Sequence, residues 1–386
     1  MNHLNSSADI QQFYSAQPFA IRLVDGMTGR IAVLCREKSG KVSGKWQLDV
    51  DGVRRSFGQF LLNGMDAGEE REFLLSVEVP DLYYGSVAVL SVRCYDENGT
   101  VIALESFEMI PSVRILPPAE KEQYFTGVRF DVSGAMISSG KLSAQIDANG
   151  MRELRYNGDK LFTGGPRLSL FRAGMVPAEL KNLKLDRLKV AADRFVSDGT
   201  GVECHALALP TIMEMDELEF TQRFTPQNDG SIRYDAEFVV PESFAGIPRL
   251  GVYWYLPESV RQVTFFGNGP GENYPGEAGS VKALYTLPVA EMYPAGATGS
   301  AGCRSNVSFI KLADEANGRV WQISSGNTFS FTLLPFDEFA VEDAMFAGRG
   351  PSAASCPVLY IDCRIGNDQP VKAGVYRMTF FFRNVK

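Results

Sequence analysis

Along most of this chain apolar and polar residues alternate with period two, and Gly, Pro, Asn and Asp punctuate the runs. Successive side chains of a strand point to opposite faces, so the pattern predicts antiparallel strands with one face buried. Trp46, Leu48 and Val50 fall on one face of such a strand, and Gln47 and Asp49 on the other. Asp51-Gly52 then turns the chain, because both residue types tolerate the positive φ of a two-residue hairpin. Phe73, Leu75 and Val77 predict a further strand, as do Val87, Val89, Leu90 and Val92 ahead of a turn at Asn98-Gly99.

About seven strands in roughly 100 residues are what an immunoglobulin-like sandwich requires. Pro111, Pro117, Pro118 and the charges ending at Glu122 have the composition of a linker. Beyond it, Ile232, Tyr234, Ala236 and Phe238 alternate with Arg233, Asp235 and Glu237, after a turn over residues 226–230. A region of about 260 residues so patterned exceeds a small sandwich and predicts many-stranded curved sheets packed face to face. The expected fold class is all-β: an immunoglobulin-like β-sandwich over residues 1–112, a linker over 113–122, and a large antiparallel β-supersandwich over 123–386.

With 386 residues, 45% of them hydrophobic, the chain has the material for two or three domains with a real core. Its net charge of -8 disfavours nucleic acid and anionic membrane surfaces, which call for basic stripes. The basic cluster Lys181, Lys184, Arg187 and Lys189 is interleaved with Leu180, Leu183, Leu185 and Leu188, the pattern of a half-buried segment with a solvated face. No apolar stretch approaches the roughly 20 residues that span a bilayer, and residues 1–7 carry no basic region leading into an apolar run, so the cytoplasm is the expected compartment. Cys35, Cys94, Cys204, Cys303, Cys356 and Cys363 are widely spaced, without Cys-x-x-Cys. They are expected to be buried thiols, with a single disulfide as the open alternative.

Chemistry is sparse. The two histidines are His3 and His205, too few for a histidine-rich metal site, and His205 sits in an apolar setting that predicts a core or strand-edge role. Glu214, Asp216, Glu217 and Glu219 alternate with Met213, Met215, Leu218 and Phe220 and predict a solvated strand face, while Glu69, Glu70 and Glu72 cluster around Arg71 in a turn. No catalytic residue, metal site or cofactor is assigned. Trp46, Trp254 and Trp321 lie in strand-like alternation and are expected in the core; Tyr253 and Tyr255 flank Trp254 on the opposite face, where an aromatic surface for sugar is possible.

Phe266 to Gly276 holds four glycines and two prolines around Glu272-Asn273-Tyr274. Gly opens backbone angles closed to other residues and Pro fixes φ, so a rigid, non-repetitive loop is expected there, with Glu272 exposed.

The order Gly267-Asn268-Gly269-Pro270-Gly271-Glu272-Asn273-Tyr274 resembles the Gly-x-Gly-Pro-x-Glu-x-Tyr loop in the last domain of the family 2 β-galactosidases. The resemblance extends over residues 124 to 386. It takes in Phe220-Thr221-Gln222-Arg223-Phe224, Leu287-Pro288-Val289-Ala290-Glu291-Met292-Tyr293, Leu359-Tyr360-Ile361-Asp362 and Ala373-Gly374-Val375-Tyr376. More weakly, residues 1 to 112, with Ile10-Gln11-Gln12-Phe13-Tyr14, are similar to the immunoglobulin-like domain that follows the catalytic barrel in those enzymes. The resemblance implies a mutarotase-like supersandwich and a chain corresponding to the last two domains, without the barrel and its two catalytic carboxylates.

The resemblance further implies that the site-facing residues are Gly269, Pro270, Glu272, Asn273, Tyr274, Arg172, Arg304, Asn367 and Asp368. Three positions depart from the family. After Arg364-Ile365-Gly366 the chain runs straight through Asn367-Asp368-Gln369-Pro370, without the insert that carries a sugar-stacking tryptophan. Arg172 is kept but the acidic residues that follow it in the family are not, and Ala297 to Cys303 replaces the Pro-Gln-Glu-Asn-Gly that precedes an arginine, here Arg304. The function implied is a non-catalytic small subunit or C-terminal part of a β-galactosidase, partnered by a separate barrel-bearing large chain. The alternatives are a stand-alone carbohydrate- or protein-binding module, and a remnant with no present role.

Overall fold

The computed structural model describes residues 16–38, 40–83, 86–109, 114–115, 126–131, 134–210, 216–277, 280–349, 351, 356–366 and 370–384. They group into two units, one of residues 1–117 with 266–270 and 278–285, the other of 118–265, 271–277 and 286–386.

In the first unit the strands are β1 (Phe19–Asp25), β2 (Arg30–Cys35), β3 (Ser43–Val50), β4 (Val53–Leu61), β5 (Glu70–Leu74), β6 (Leu82–Tyr83), β7 (Ala88–Tyr95), β8 (Val101–Met109) and β9 (Arg114–Ile115). They form an antiparallel sheet in the order β1-β2-β5, another in the order β4-β3-β7-β8, and a parallel pair β6-β9. The two antiparallel sheets share one core: Phe19, Ile31 and Val33 from the first meet Trp46, Leu48, Leu90 and Val92 from the second, which makes a β-sandwich. The β3–β4 hairpin closes as its sequence dictates, through Asp51 (φ 50°) and Gly52 (φ 67°). The strand expected at Phe73, Leu75 and Val77 ends at Leu74. Leu75 and Val77 are buried beyond it because the chain folds under Gly29, whose carbonyl accepts from the Leu75 amide. Of the expected linker, only Arg114–Ile115 falls within the described residues.

In the second unit β10 (Thr126–Asp131), β11 (Gly134–Ser139), β12 (Leu142–Asp147), β13 (Gly150–Tyr156) and β14 (Asp159–Phe162) form an antiparallel meander. The remaining strands are β15 (Gly164–Ser169), β16 (Lys189–Ser197), β17 (Val202–Leu209), β18 (Leu218–Pro226), β19 (Ile232–Val240), β20 (Arg249–Tyr255), β23 (Cys303–Asp314), β24 (Arg319–Leu334), β25 (Val358–Ile365) and β26 (Gly374–Asn384), together with β21 (Val260–Gly269) and β22 (Val281–Pro288), whose residues 266–269 and 281–285 belong to the first unit. Their main path is β15-β20-β25-β24-β26-β19-β18-β17-β16, with β23 paired to β24 and β21. In β19 the predicted alternation is realised: Ile232, Tyr234, Ala236 and Phe238 are buried. Phe162 at the end of the meander lies 6.0 Å from Trp254, 6.1 Å from Trp321 and 5.6 Å from Phe382 between ring centroids. The meander therefore packs face to face on the large sheet, and the expected tryptophans are core. Among the described residues the α-helix is α1 (Glu338–Phe346), which starts where Asp337 accepts the Ala340 amide at 2.7 Å.

The basic segment folds into two 3-10 turns, 178–183 and 185–187, with Leu180, Leu183 and Leu185 buried. Cys35, Cys94, Cys204 and Cys303 are buried thiols, whereas Cys356 and Cys363 are only half-buried. His205 lies between Asp193 at 2.9 Å and Glu219 at 3.5 Å, a half-shielded strand position. Among the described residues no helix is long and apolar enough to cross a membrane.

Candidate functional site

The glycine-rich stretch is only partly a loop. Phe266 to Gly269 completes β21, which pairs with β22 and β23, and the irregular path begins at Pro270. From there Asn273 pins the chain to β23. Its amide donates to the Cys303 carbonyl at 3.0 Å, and its Oδ1 accepts from the Ser305 amide at 2.9 Å and the Ser305 hydroxyl at 2.6 Å. Its Nδ2 donates to the Gly271 carbonyl at 2.9 Å. The Tyr274 amide donates to Glu277 Oε2 at 2.8 Å, and Gly276, at φ 87°, completes the turn that this contact closes.

Tyr274 and Arg172 anchor the other side. Arg172 Nη2 donates to the Tyr274 hydroxyl at 2.7 Å, and that hydroxyl donates onward to Glu272 Oε1 at 2.7 Å. Arg172 Nε reaches Ser300 Oγ at 3.2 Å, and Ser300 Oγ donates to Glu338 Oε1 at 2.7 Å. Glu338 also accepts from Arg249 Nη1 at 3.0 Å and from the Ala173 amide at 3.1 Å. Arg249 forms an ion pair with Asp362 at 2.9 Å, donates to Thr332 Oγ1 at 3.2 Å and lies 4.6 Å from the centroid of the Tyr360 ring. The Glu338 amide donates to the Tyr360 hydroxyl at 2.9 Å. Arg172, Arg249, Glu338 and Asp362 are all buried. Two guanidinium and two carboxylate groups offset one another there, the condition under which ions survive in a low-dielectric interior.

The electrostatics follow from that burial. Desolvation pushes the Asp362 carboxyl up to about 6 even though Arg249 and Arg172 pull it down. Desolvation lowers Arg304 to about 10; its Nη1 donates to the Gly302 and Cys303 carbonyls at 3.0 and 3.1 Å. The Tyr274 hydroxyl is driven upward by burial against the opposing pull of Arg172, so it stays a neutral donor.

The fold thus brings Arg172, Tyr274 and Glu272 into direct contact and sets Asn273 and Arg304 beside them around Cys303. Gly269 and Pro270 stand at the entry to the loop, while Asn367 and Asp368 lie outside the described residues. Arg172, Asn273, Tyr274 and Arg304 are buried, and Glu272 is half-buried and bonded to Tyr274 instead of exposed. These side chains hold the loop, and Glu272 is the half-buried one among them.

Sequence reasoning missed Ser300, Glu338, Arg249, Asp362 and Tyr360. One signal was available: Asp362 interrupts the apolar run Val358–Ile365, and a carboxylate in such a strand requires a buried cation. A cavity of about 640 Å3 was also missed. Its wall includes Arg152, Arg167, Gln222, Tyr253, Phe339 and the edge strand β15, and it shares Glu338 and Tyr360 with the buried network. None of the residues expected around the Gly269–Tyr274 loop lines it, but Tyr253, read from the sequence as part of an aromatic surface for sugar, does. Among the described residues no group of His, Cys, Asp and Glu is arranged to hold a metal ion.

Known proteins resemble this chain at several levels. It is 26% identical over 162 residues to a β-galactosidase of Lactobacillus delbrueckii subsp. bulgaricus, covering 42% of this chain and 16% of that one. A β-galactosidase of Priestia megaterium (strain DSM 319 / IMG 1521) is 24% identical over 154 residues, covering 39% of this chain and 15% of the other. The aligned region spans about a sixth or less of the curated relatives. A galactose 1-epimerase structure from Lactobacillus acidophilus NCFM aligns over 68% of this chain and 99% of its own, at 10% identity and a TM-score of 0.35. The family model described as beta galactosidase small chain matches residues 139–364, more than half of the sequence, and the chain belongs to that family.

Proposed function

We propose that this chain is the non-catalytic small subunit or C-terminal part of a family 2 β-galactosidase, supporting hydrolysis of β-galactosides by a separate barrel-bearing large chain in the cytoplasm. The observation that carries the reading is the state of the carboxylates. Glu338 and Asp362 are buried on Arg249, and Glu272 accepts from Tyr274. Retaining glycoside hydrolysis needs one free carboxylate nucleophile and one acid about 5 Å away, and these three are committed to holding structure. What the arrangement supplies is a stiff loop around Glu272 to Tyr274, in which the Glu272 oxygen not bonded to Tyr274 is left to accept from a sugar hydroxyl or a partner's backbone amide. In this reading residues 1–112 are an immunoglobulin-like sandwich, 113–122 a linker and 123–386 the supersandwich, with no role for nucleic acid or membrane. Co-purification of the tagged chain from its host tests it: a barrel-bearing partner with β-galactosidase activity is expected, and hydrolysis by the isolated chain would refute the non-catalytic role.

The cavity favours a second reading, a carbohydrate-binding module without catalysis. At about 640 Å3 it falls in the usual range for small-molecule sites, with Tyr253, Phe339 and Tyr360 for apolar sugar faces and Arg152 and Arg167 for hydroxyls. Calorimetry with galactosides and oligosaccharides decides it, and absence of heat at about millimolar ligand, where weak sites still bind, would remove it.

A further inference from the structure

Natural sheets protect their edges with charge, proline or bulges, since an open edge pairs with whatever strand reaches it. β4 is the edge of its sheet and pairs only with β3 among the described residues. Its first part is protected in this way: Arg54 and Arg55 lie there, with a register shift opposite Leu48 and Asp49. The second part is not. Ser56-Phe57-Gly58-Gln59-Phe60-Leu61-Leu62 carries no charge and no proline. Phe57 is 71% exposed and Leu61 66% exposed, values that mark a surface left open in a single chain. Gly58 and Phe60 turn inward, toward the Trp46 indole and the Phe73 ring, so Phe57, Gln59 and Leu61 share the outer face.

That outer face is complementary to itself. In an antiparallel two-fold pairing centred on Gln59, Phe57 stands opposite Leu61 of the second copy, Leu61 opposite Phe57, and Gln59 opposite Gln59. No like charges meet, and both apolar side chains gain a cross-strand neighbour. Centring on Phe57 instead would bring the register shift beside Arg55 into the ladder, and centring on Leu61 would run past the end of the strand. We propose that β4 is a self-pairing edge through which two copies of this chain associate in the Gln59-centred register. It joins two four-stranded sheets into one.

The interface is small, so a reversible dimer is expected, with dissociation between about 1 µM and about 0.2 mM in sedimentation equilibrium of the full chain. Phe57→Glu and Leu61→Lys should each weaken it by at least about tenfold. In the double variant each glutamate faces a lysine of the other copy, and affinity should return to within about threefold of the original. The two positions lie four residues apart on one strand, too far to pair within a chain, so rescue reads the register itself. A monomer throughout the range, single variants that dimerise like the parent, or a double variant no better than the singles would each overturn the proposal.

Discussion

Arg172 and Tyr274, 102 residues apart in sequence, meet twice: Nη2 donates to the hydroxyl at 2.7 Å, and the guanidinium carbon lies 4.8 Å from the centroid of the same ring. The hydroxyl is thereby oriented to give its own proton to Glu272. A loop rich in glycine, which alone would sample many paths, is thus fixed on the side away from Asn273 by one side chain bonded in two directions.

Replacing Tyr274 with Phe keeps the ring and removes only that relay. It leaves a buried guanidinium N–H without its acceptor, at an expected cost of about 1–3 kcal/mol. Glu272→Ala removes the half-buried end of the relay and should cost less, about 1 kcal/mol. Urea unfolding of the two variants measures both; a Tyr274→Phe variant as stable as the parent would show that the loop is held by Asn273 alone.

The deeper part of the network gives an ordering. Arg249 compensates Glu338 and Asp362 together, so Arg249→Met leaves two buried carboxylates and should cost about 3–5 kcal/mol. Asp362→Asn should cost less, because burial already pushes that carboxyl up to about 6 and its ionised form is disfavoured. Equal losses for the two variants would contradict this account of the site.

Much of the fold was legible because strand periodicity is local. The alternation in Ile232–Val240 and the Asp51-Gly52 turn need no distant partner to be read, and both appear as expected. The candidate site was legible only where its residues are consecutive. Glu272, Asn273 and Tyr274 lie together, but Arg249, Ser300, Glu338 and Asp362 converge through strand order, which periodicity does not encode. The strand ending at Gly269 misleads for a related reason: glycine signals a turn by its freedom, yet it can also sit in a paired strand, and the partners β22 and β23, distant in sequence, decide between the two.

Glycine positions offer a contrast of that kind. A Cβ at Gly251 would collide with the Ile361 carbonyl and lie 2.8 Å from the Asp362 Cα, both backbone atoms of the neighbouring β25. At Gly326 nothing lies within 4 Å. Gly251→Ala should therefore destabilise by about 2 kcal/mol or more, while Gly326→Ala stays within about 0.5 kcal/mol of the parent in thermal melts. Similar melting temperatures for the two would mean that β20 and β25 can move apart at little cost.

The first unit should carry its own pH dependence through Glu105 on β8. Burial raises this carboxyl from 4.5 to about 7, and the charge of Arg36 only partly opposes the shift. With the folded value above the unfolded one, the folded state binds the proton more tightly. The corresponding stability is fully present below about pH 4.5 and is lost as pH rises through about 7. Allowing for the group's partial exposure to water, the loss should be about 1–2 kcal/mol. Glu105→Gln cannot ionise, so its urea midpoint should exceed the parent's at pH 8 and converge with it near pH 5. A parent midpoint that stays flat across this interval, or a variant that follows the parent at every pH, would mean that water reaches Glu105 freely and that its charge costs the fold nothing.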